Sequence, residues 1–342
     1  MKKIAVIGAG VNGLSSAVQV AEHFYSDAQV VLVSDDISPN TTGDGSAGLW
    51  EPYLVSLDET VLKWSEDTHR FFHDLWKSGL APEVGVCLQP IIRVVSNAKN
   101  YDIPKWSKIP FGCTSLSEDQ LRILSQDHKK NYTGGIHFVS FTCEPTKLLP
   151  YLLKRFLNAG GRMERKRVES IDELAKEEYD LIINCTGLGS QKLANDPKVH
   201  PIRGQVTRVH APWLYATYVN DSDDGNYIIV NTDTTVLGGT RQVNDYNTKV
   251  SEEDDKHIQE GCEAVEPSLK DAKVVKKWVG LRPARDNIRL EKVEFVAQDG
   301  TKVPLIHNYG HGGSGVCLAW GCGKAVLQLA QEIFREEIKS KL

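Results

Sequence analysis

The feature that most restricts this chain is Gly8-Ala9-Gly10-Val11-Asn12-Gly13, set directly behind the apolar run Ile4-Ala5-Val6-Ile7. Residues 3–7 read as a short buried strand. Leu14, Ala17, Val18, Ala21 and Phe24 then recur at helical spacing over 14–24. Val30-Val31-Leu32-Val33 reads as a second strand, ending at Asp35. Strand, glycine loop, helix, strand and acid together form a βαβ unit that binds a dinucleotide. Gly8 makes the tight turn, Gly10 lets a pyrophosphate approach the backbone, and Gly13 lets the helix pack on the strand. The helix N-terminus offers the phosphates unpaired N–H groups and a positive dipole end. Asp35, with Asp36 beside it, accepts from a ribose hydroxyl.

A second glycine loop, Gly310-His311-Gly312-Gly313-Ser314-Gly315, stands near the other end. A nucleotide-binding dehydrogenase needs only the first loop. A flavoprotein commonly uses a late loop to hold the rest of its cofactor beside the reaction centre. Asp180 to Asn184 reads as a strand ending in Cys185-Thr186-Gly187, which returns to the crevice where α/β sheets bind ligands.

At 342 residues the chain is long for one core, so two interleaved lobes are expected. The net charge of -5, without long runs of one sign, argues against nucleic acid or an anionic membrane surface as partner. No apolar stretch approaches the ~20 residues that span a bilayer. The N-terminus runs straight into a strand, so no secretory signal is expected. Seven scattered cysteines form no C-x-x-C pair and suggest reduced, mostly buried thiols and no metal site.

Further on, 61–77 and the stretch from Pro145 to Gly160 read as helices, and 83–95 as strands. Residues 96–135 read as a polar, loop-rich stretch. Gln205–Val209, Tyr227–Val230 and Thr235–Gly238 read as strands. Ala216 to Asn226 between them reads as a mobile lid. A helix is expected over 251–265, strands from Trp278 to Leu290, and a last helix from Trp320 to Ile338. Gly280-Leu281-Arg282-Pro283 places a guanidinium at a strand end, where it can grip a carboxylate with two parallel hydrogen bonds.

Several long words, in order, resemble the D-amino-acid oxidase family. They are Thr41-Thr42-Gly43-Asp44 followed by Ala47-Gly48-Leu49-Trp50, Asn184-Cys185-Thr186-Gly187, Pro201-Ile202-Arg203-Gly204-Gln205, Gly280-Leu281-Arg282-Pro283 and His307-Asn308-Tyr309-Gly310-His311-Gly312-Gly313. The similarity runs from the first strand to the last helix. It implies an α/β fold: a Rossmann-type FAD-binding domain (1–50, 136–200 and 300–342) interleaved with a mainly β substrate-binding domain (51–135 and 201–299).

The resemblance also implies non-covalent FAD, a D-amino acid substrate and O2. A hydride passes from Cα to flavin N5, and the products are a 2-oxo acid, ammonia and hydrogen peroxide. Arg282 and Tyr227 would hold the α-carboxylate, the Gly313 carbonyl would receive the amine, and Tyr53 would line the substrate pocket. Gly8, Ala9, Gly10, Val11, Asn12, Gly13, Asp35, Asp36, Thr41, Thr42, Ala47, Gly48, Leu49, Val168, Gly312, Ser314, Gly315 and Val316 would line the FAD site. His307 and His311 read as loop and supporting residues; the chemistry requires no protein base at Cα.

The family divides by substrate. In Gly238-Gly239-Thr240-Arg241-Gln242, Arg241 stands where the acidic branch, D-aspartate oxidase, carries an Arg for the second carboxylate. Two features depart from the acidic branch, the lack of an Arg within Ala216 to Asn226 and Gly313 where some acidic enzymes have Ser, and Trp50-Glu51-Pro52-Tyr53 is closer to the neutral branch. Acidic D-amino acids are the expected substrates, with a neutral D-amino-acid oxidase as the alternative. An NAD-dependent dehydrogenase and a catalytically silent flavin-binding protein stand further off. Ser340-Lys341-Leu342 reads as a peroxisomal address taken up by an import receptor. A homo-oligomer is compatible with the sequence.

Overall fold

The computed structural model describes residues 1–96, 101–222 and 225–340. Lys341 and Leu342, and with them most of the expected address, lie outside the described residues. The first strand, Lys2–Ile7, pairs in parallel with Ala28–Val33 on one side and Leu181–Asn184 on the other. Arg162–Glu164 and Lys302–His311 extend this parallel group outward. The near-continuous apolar runs Ile4–Ile7, Val30–Val33 and Leu181–Ile183 are buried on both faces, as a parallel sheet requires.

Helix Val11–His23 covers one face beside the long C-terminal helix Gly315–Ser340. Gln19 Nε2 donates to the Trp320 carbonyl at 3.0 Å, which fixes their register. Helix Glu59–Lys77 joins the same layer: Phe71 stacks on Trp320 at 3.8 Å, and Thr68 Oγ1 accepts from Gly321 N.

The sheet does not stop at the parallel group. Strand Lys273–Val296 is the hinge of the architecture. Its second part, Arg289–Val296, pairs with Lys302–His311, while Lys273–Ala284 pairs antiparallel with His200–His210. Beyond His200–His210 follow Thr235–Gly238, Tyr227–Val230, Thr217–Asn220, Val86–Ser96, Tyr132–Cys143 and Phe111–Ser115, all antiparallel except the pairing of Val86–Ser96 with Thr217–Asn220. Arg282 sits just before the irregularity between Ala284 and Arg289, where the strand changes partner. It therefore lies where the parallel and antiparallel parts of the sheet meet.

Three sequence expectations give way. Residues 96–135 are not mainly loop. They hold the strand Phe111–Ser115, the helix Glu118–Asp127 and the start of Tyr132–Cys143. That helix buries none of its residues fully and packs on the core only through the half-buried Leu121 and Leu124, a short apolar signal, although a capping box between Ser117 and Gln120 marks its start. The expected lid over 216–226 is in part a strand, since Thr217–Asn220 pairs on both sides; residues 223 and 224 lie outside the described ones. The last helix begins at Gly315 rather than Trp320, because the turn Gly312–Ser314 runs directly into it.

Candidate active site

One cavity of about 980 Å³ runs from the carboxyl ends of the parallel strands to the antiparallel part of the sheet. At its first end lie Gly8 after Lys2–Ile7, Asp35 after Ala28–Val33, and Cys185-Thr186-Gly187 after Leu181–Asn184. Gly8 has φ +99°, a left-handed conformation that side chains resist. A Cβ on Gly13 would fall 1.8 Å from the Gly8 carbonyl oxygen, so the helix seats directly on the loop. A Cβ on Gly10 would meet no described protein atom within 4 Å. That open side faces the N-terminus of helix Val11–His23, which has neither a side-chain cap nor an acidic residue in its first turn. An anion is the natural complement of such an end. Asp35 is exposed and lies 3.6 Å from the Arg167 guanidinium.

The segment from Asn40 to Leu49 forms another wall. Thr41 and Asp44 close a reciprocal cap, with the Thr41 hydroxyl 2.7 Å from Asp44 Oδ2. The buried Arg208 donates to the Ser46 carbonyl at 2.7 Å, and Asn231 Nδ2 to the Ala47 carbonyl at 2.9 Å. These contacts fix the backbone of Ala47, Gly48 and Leu49 against the strand layer. Val168, Gly312, Gly315 and Val316 line the same space, as do Ala9, Val11, Asn12, Asp36, Thr41 and Thr42.

Tyr53, Tyr227, Arg241, Arg282 and Gly313 line the other end. Arg282 Nη1 donates to the Thr240 carbonyl at 3.0 Å, one residue before Arg241. Tyr227 lies against the double glycine Gly238-Gly239; a Cβ on Gly238 would fall 2.1 Å from its ring. Burial raises the Tyr227 phenol above its usual range, and the Arg282 guanidinium partly opposes this. The phenol is therefore a donor at neutral pH. Arg203, buried, donates to Gln242 Oε1, Asp254 Oδ2 and the carbonyls of Asn247 and Lys249. It thereby pins the segment that carries Arg241.

Residues 3–329 match the family described as FAD-dependent oxidoreductase. The chain is 37% identical to a D-amino acid oxidase from Dugesia ryukyuensis, over 99% of each chain. It is 35% identical to the D-aspartate oxidase of Homo sapiens, over 96% of this chain and 95% of that one. The chain belongs to the D-amino-acid oxidase family. A glycine oxidase from Geobacillus kaustophilus shares the fold, with a TM-score of 0.78 at 16% identity over 97% of this chain and 95% of that one.

FAD is the cofactor of this oxidase family, and the residues fit it. The cavity offers an uncapped helix end with an open glycine. Among the described residues, the buried Asn12 Oδ1, Trp278 Nε1 and His311 Nε2 lack hydrogen-bond partners, and all three residues line the cavity. Burial depresses His311 to about 3, so the ring is neutral.

Of the site residues expected from sequence, two do not line the cavity. Gly13 packs beneath it. Ser314, expected at the cofactor, turns its hydroxyl to Tyr53 instead, accepting from Tyr53 N at 2.7 Å and donating to Tyr53 O at 2.6 Å. It therefore positions Tyr53 against Gly313. His307 is buried outside the cavity, 3.3 Å from Asn184. Sequence reasoning missed Trp278, Arg93 and Asp221. Trp278 stands two residues before Gly280 in a recognised word, so it was within reach of a motif reading. Arg93 and Asp221 are brought together only by strand pairing.

Proposed function

We propose that this protein oxidises acidic D-amino acids, D-aspartate and D-glutamate, to 2-oxo acids, with release of ammonia and hydrogen peroxide. The observation that carries the reading is that two arginines line one cavity: Arg282, anchored on the Thr240 carbonyl at 3.0 Å, and Arg241, next to Thr240 in the chain. A dicarboxylate has one anion for each.

Bound FAD supplies the hydride acceptor. Arg282 and the Tyr227 hydroxyl bind the α-carboxylate, and the Gly313 carbonyl accepts from the amine. With carboxylate, amine and the Cα–H direction set, an L-isomer puts its side chain where the hydrogen must be. The Cα hydrogen leaves as hydride, and the nitrogen, forming its double bond to Cα, gives up a proton. The amine must be neutral beforehand, so alkaline pH favours turnover. O2 takes up the two electrons and two protons as hydrogen peroxide, and water then converts the imino acid to 2-oxo acid and ammonia. The protein's contribution is position and electrostatics.

Peroxide release measured across D-aspartate, D-glutamate, D-alanine, D-methionine and their L-isomers tests this. The expected order puts the two acidic D-isomers first and the L-isomers at background. D-alanine or D-methionine ahead of both acidic substrates would return the neutral oxidase reading.

A further inference from the structure

Besides the acids beside the first glycine loop, Asp35 and Asp36, and Glu169 near Val168, the cavity borders Glu51 and Asp221. Left uncompensated, both would repel an acidic side chain. Both are held by one residue that does not line the cavity. Arg93 Nε lies 2.9 Å from Glu51 Oε1, and its Nη2 donates to Asp221 Oδ2. Its Nη1 donates to the Tyr101 hydroxyl at 3.1 Å, which orients the guanidinium between the two acids. Asp221 is tied to the same strand a second time, its N–H donating to the Val94 carbonyl at 2.9 Å.

Glu51 is only 7% exposed, and its Oε2 has no partner among the described residues. It is a buried acceptor at the cavity wall. Resting on the acidic reading, we propose that Arg93 is a specificity-determining positioning residue. By pairing with Glu51 and Asp221 it offsets the two negative charges that an incoming acidic side chain would otherwise meet. Without Arg93 the same wall selects a side chain that carries a cation or an N–H donor.

Coulomb interactions are strong at such short range in a partly desolvated pocket, and like charges placed together cost enough to exclude a ligand. The charge of Arg93 faces both acids, Glu51 through Nε and Asp221 through Nη2, and a lysine keeps that charge though not both contacts. A lysine therefore replaces it better than an isosteric neutral residue does.

The experiment measures kcat/KM for D-aspartate, D-alanine and D-lysine in four holoenzymes: the natural protein, Arg93→Lys, Arg93→Met and Arg93→Met combined with Glu51→Gln. Flavin content and Tm accompany each. Arg93→Met is expected to lower the D-aspartate to D-alanine ratio by about tenfold or more, chiefly through KM, and to raise the D-lysine to D-alanine ratio. Arg93→Lys keeps ratios close to the natural ones, and the double variant moves back towards them.

Unchanged ratios in flavin-loaded Arg93→Met would overturn the proposal, as would equal losses on all three substrates. If Arg93→Met does not fold, Glu51→Gln alone decides: removing one carboxylate while Arg93 stays should raise the D-aspartate to D-alanine ratio, and an unchanged ratio refutes the idea. Failure of the acidic reading is separately visible. It shows as D-alanine preference in the natural enzyme together with an Arg241→Ala variant whose substrate ratios do not move.

Discussion

The Arg282 guanidinium lies in a slot left by Gly204. A Cβ on Gly204 would fall 2.3 Å from Arg282 Nη1 and 2.4 Å from Nη2. Strand pairing makes the slot: Gly204 is opposite Gly280, two residues from Arg282 on the same long strand. The anchor thus depends on a residue that carries no functional group.

Gly204→Ala should push the guanidinium off its position on the Thr240 carbonyl without touching the cofactor wall. A displacement of about 1 Å at a reacting substrate costs on the order of 100-fold in rate. The expected outcome is a loss of that size in kcat/KM on every D-amino acid together, with FAD content retained. Steady-state kinetics on one acidic and one neutral substrate check it; a loss confined to one of them would mean that Arg282 does not serve the shared carboxylate.

The two glycines of the first loop should fail in different ways. Gly10 has an extended backbone, φ -74° and ψ -178°, and open space on its side-chain face, so Gly10→Val leaves the protein fold unstrained. Its product should be a folded apoprotein with the Tm of the FAD-stripped parent and no flavin absorbance. Gly13→Ala instead drives a methyl into the Gly8 carbonyl, an overpacking that costs roughly 1–3 kcal/mol. Its apoprotein should melt lower than the stripped parent. Full flavin content in Gly10→Val would move the pyrophosphate away from this loop.

Four buried histidines, His69, His128, His307 and His311, give the fold an acid-sensitive window, and burial lowers all four. Burial depresses His69 and His307 to about 4 and His311 to about 3. In the unfolded chain each titrates near 6.5. Below that value the unfolded state binds protons that the folded state does not. Stability is therefore fully present above about pH 6.5 and falls as pH drops towards about 4, by up to ~1.4 kcal/mol per pH unit for each histidine. Glu51, raised by burial, opposes this trend. His69 sits among aromatic rings, 4.7 Å from Trp50 and 5.0 Å from Phe141, so His69→Phe removes one titrating group at similar shape. Urea melts between pH 7 and 5 should show a shallower decline in that variant; an equal slope would mean that His69 charges in the folded state.

The sequence disclosed what local chemistry writes in contiguous words. The βαβ opening, the late glycine loop and Arg282 before Pro283 each combine a residue type with an element end, and both signals lie within a few residues. Arg93 was silent for the opposite reason. Its role arises because Val86–Ser96 lies parallel to Thr217–Asn220, with Arg93 opposite Val219, a pairing across more than a hundred residues that no periodicity announces. Ser314 stands inside a cofactor-like word, and only its rotamer shows that its hydroxyl meets Tyr53. The helix Glu118–Asp127 escaped because only Leu121 and Leu124 of its ten residues pack on the core, too few to show a period among polar neighbours.

Arg241 separates the two substrate classes. It lines the cavity, and its segment is pinned from behind by Arg203 through Gln242. Removing its head group should therefore leave the loop in place. A charge-assisted hydrogen bond to a carboxylate is worth about 1.5–3 kcal/mol, or roughly 10- to 150-fold in kcat/KM. Arg241→Ala should lower D-aspartate and D-glutamate by about that factor and leave D-alanine or D-methionine unaffected or improved, because the charge that a neutral side chain must desolvate is gone. If Arg241 instead serves only to shape its loop, all substrates fall alike and the Tm drops with them. Measuring both substrate classes with Tm and flavin content on one preparation discriminates the outcomes. Equal losses on D-aspartate and D-alanine would remove Arg241 from substrate recognition and leave the neutral oxidase reading ahead.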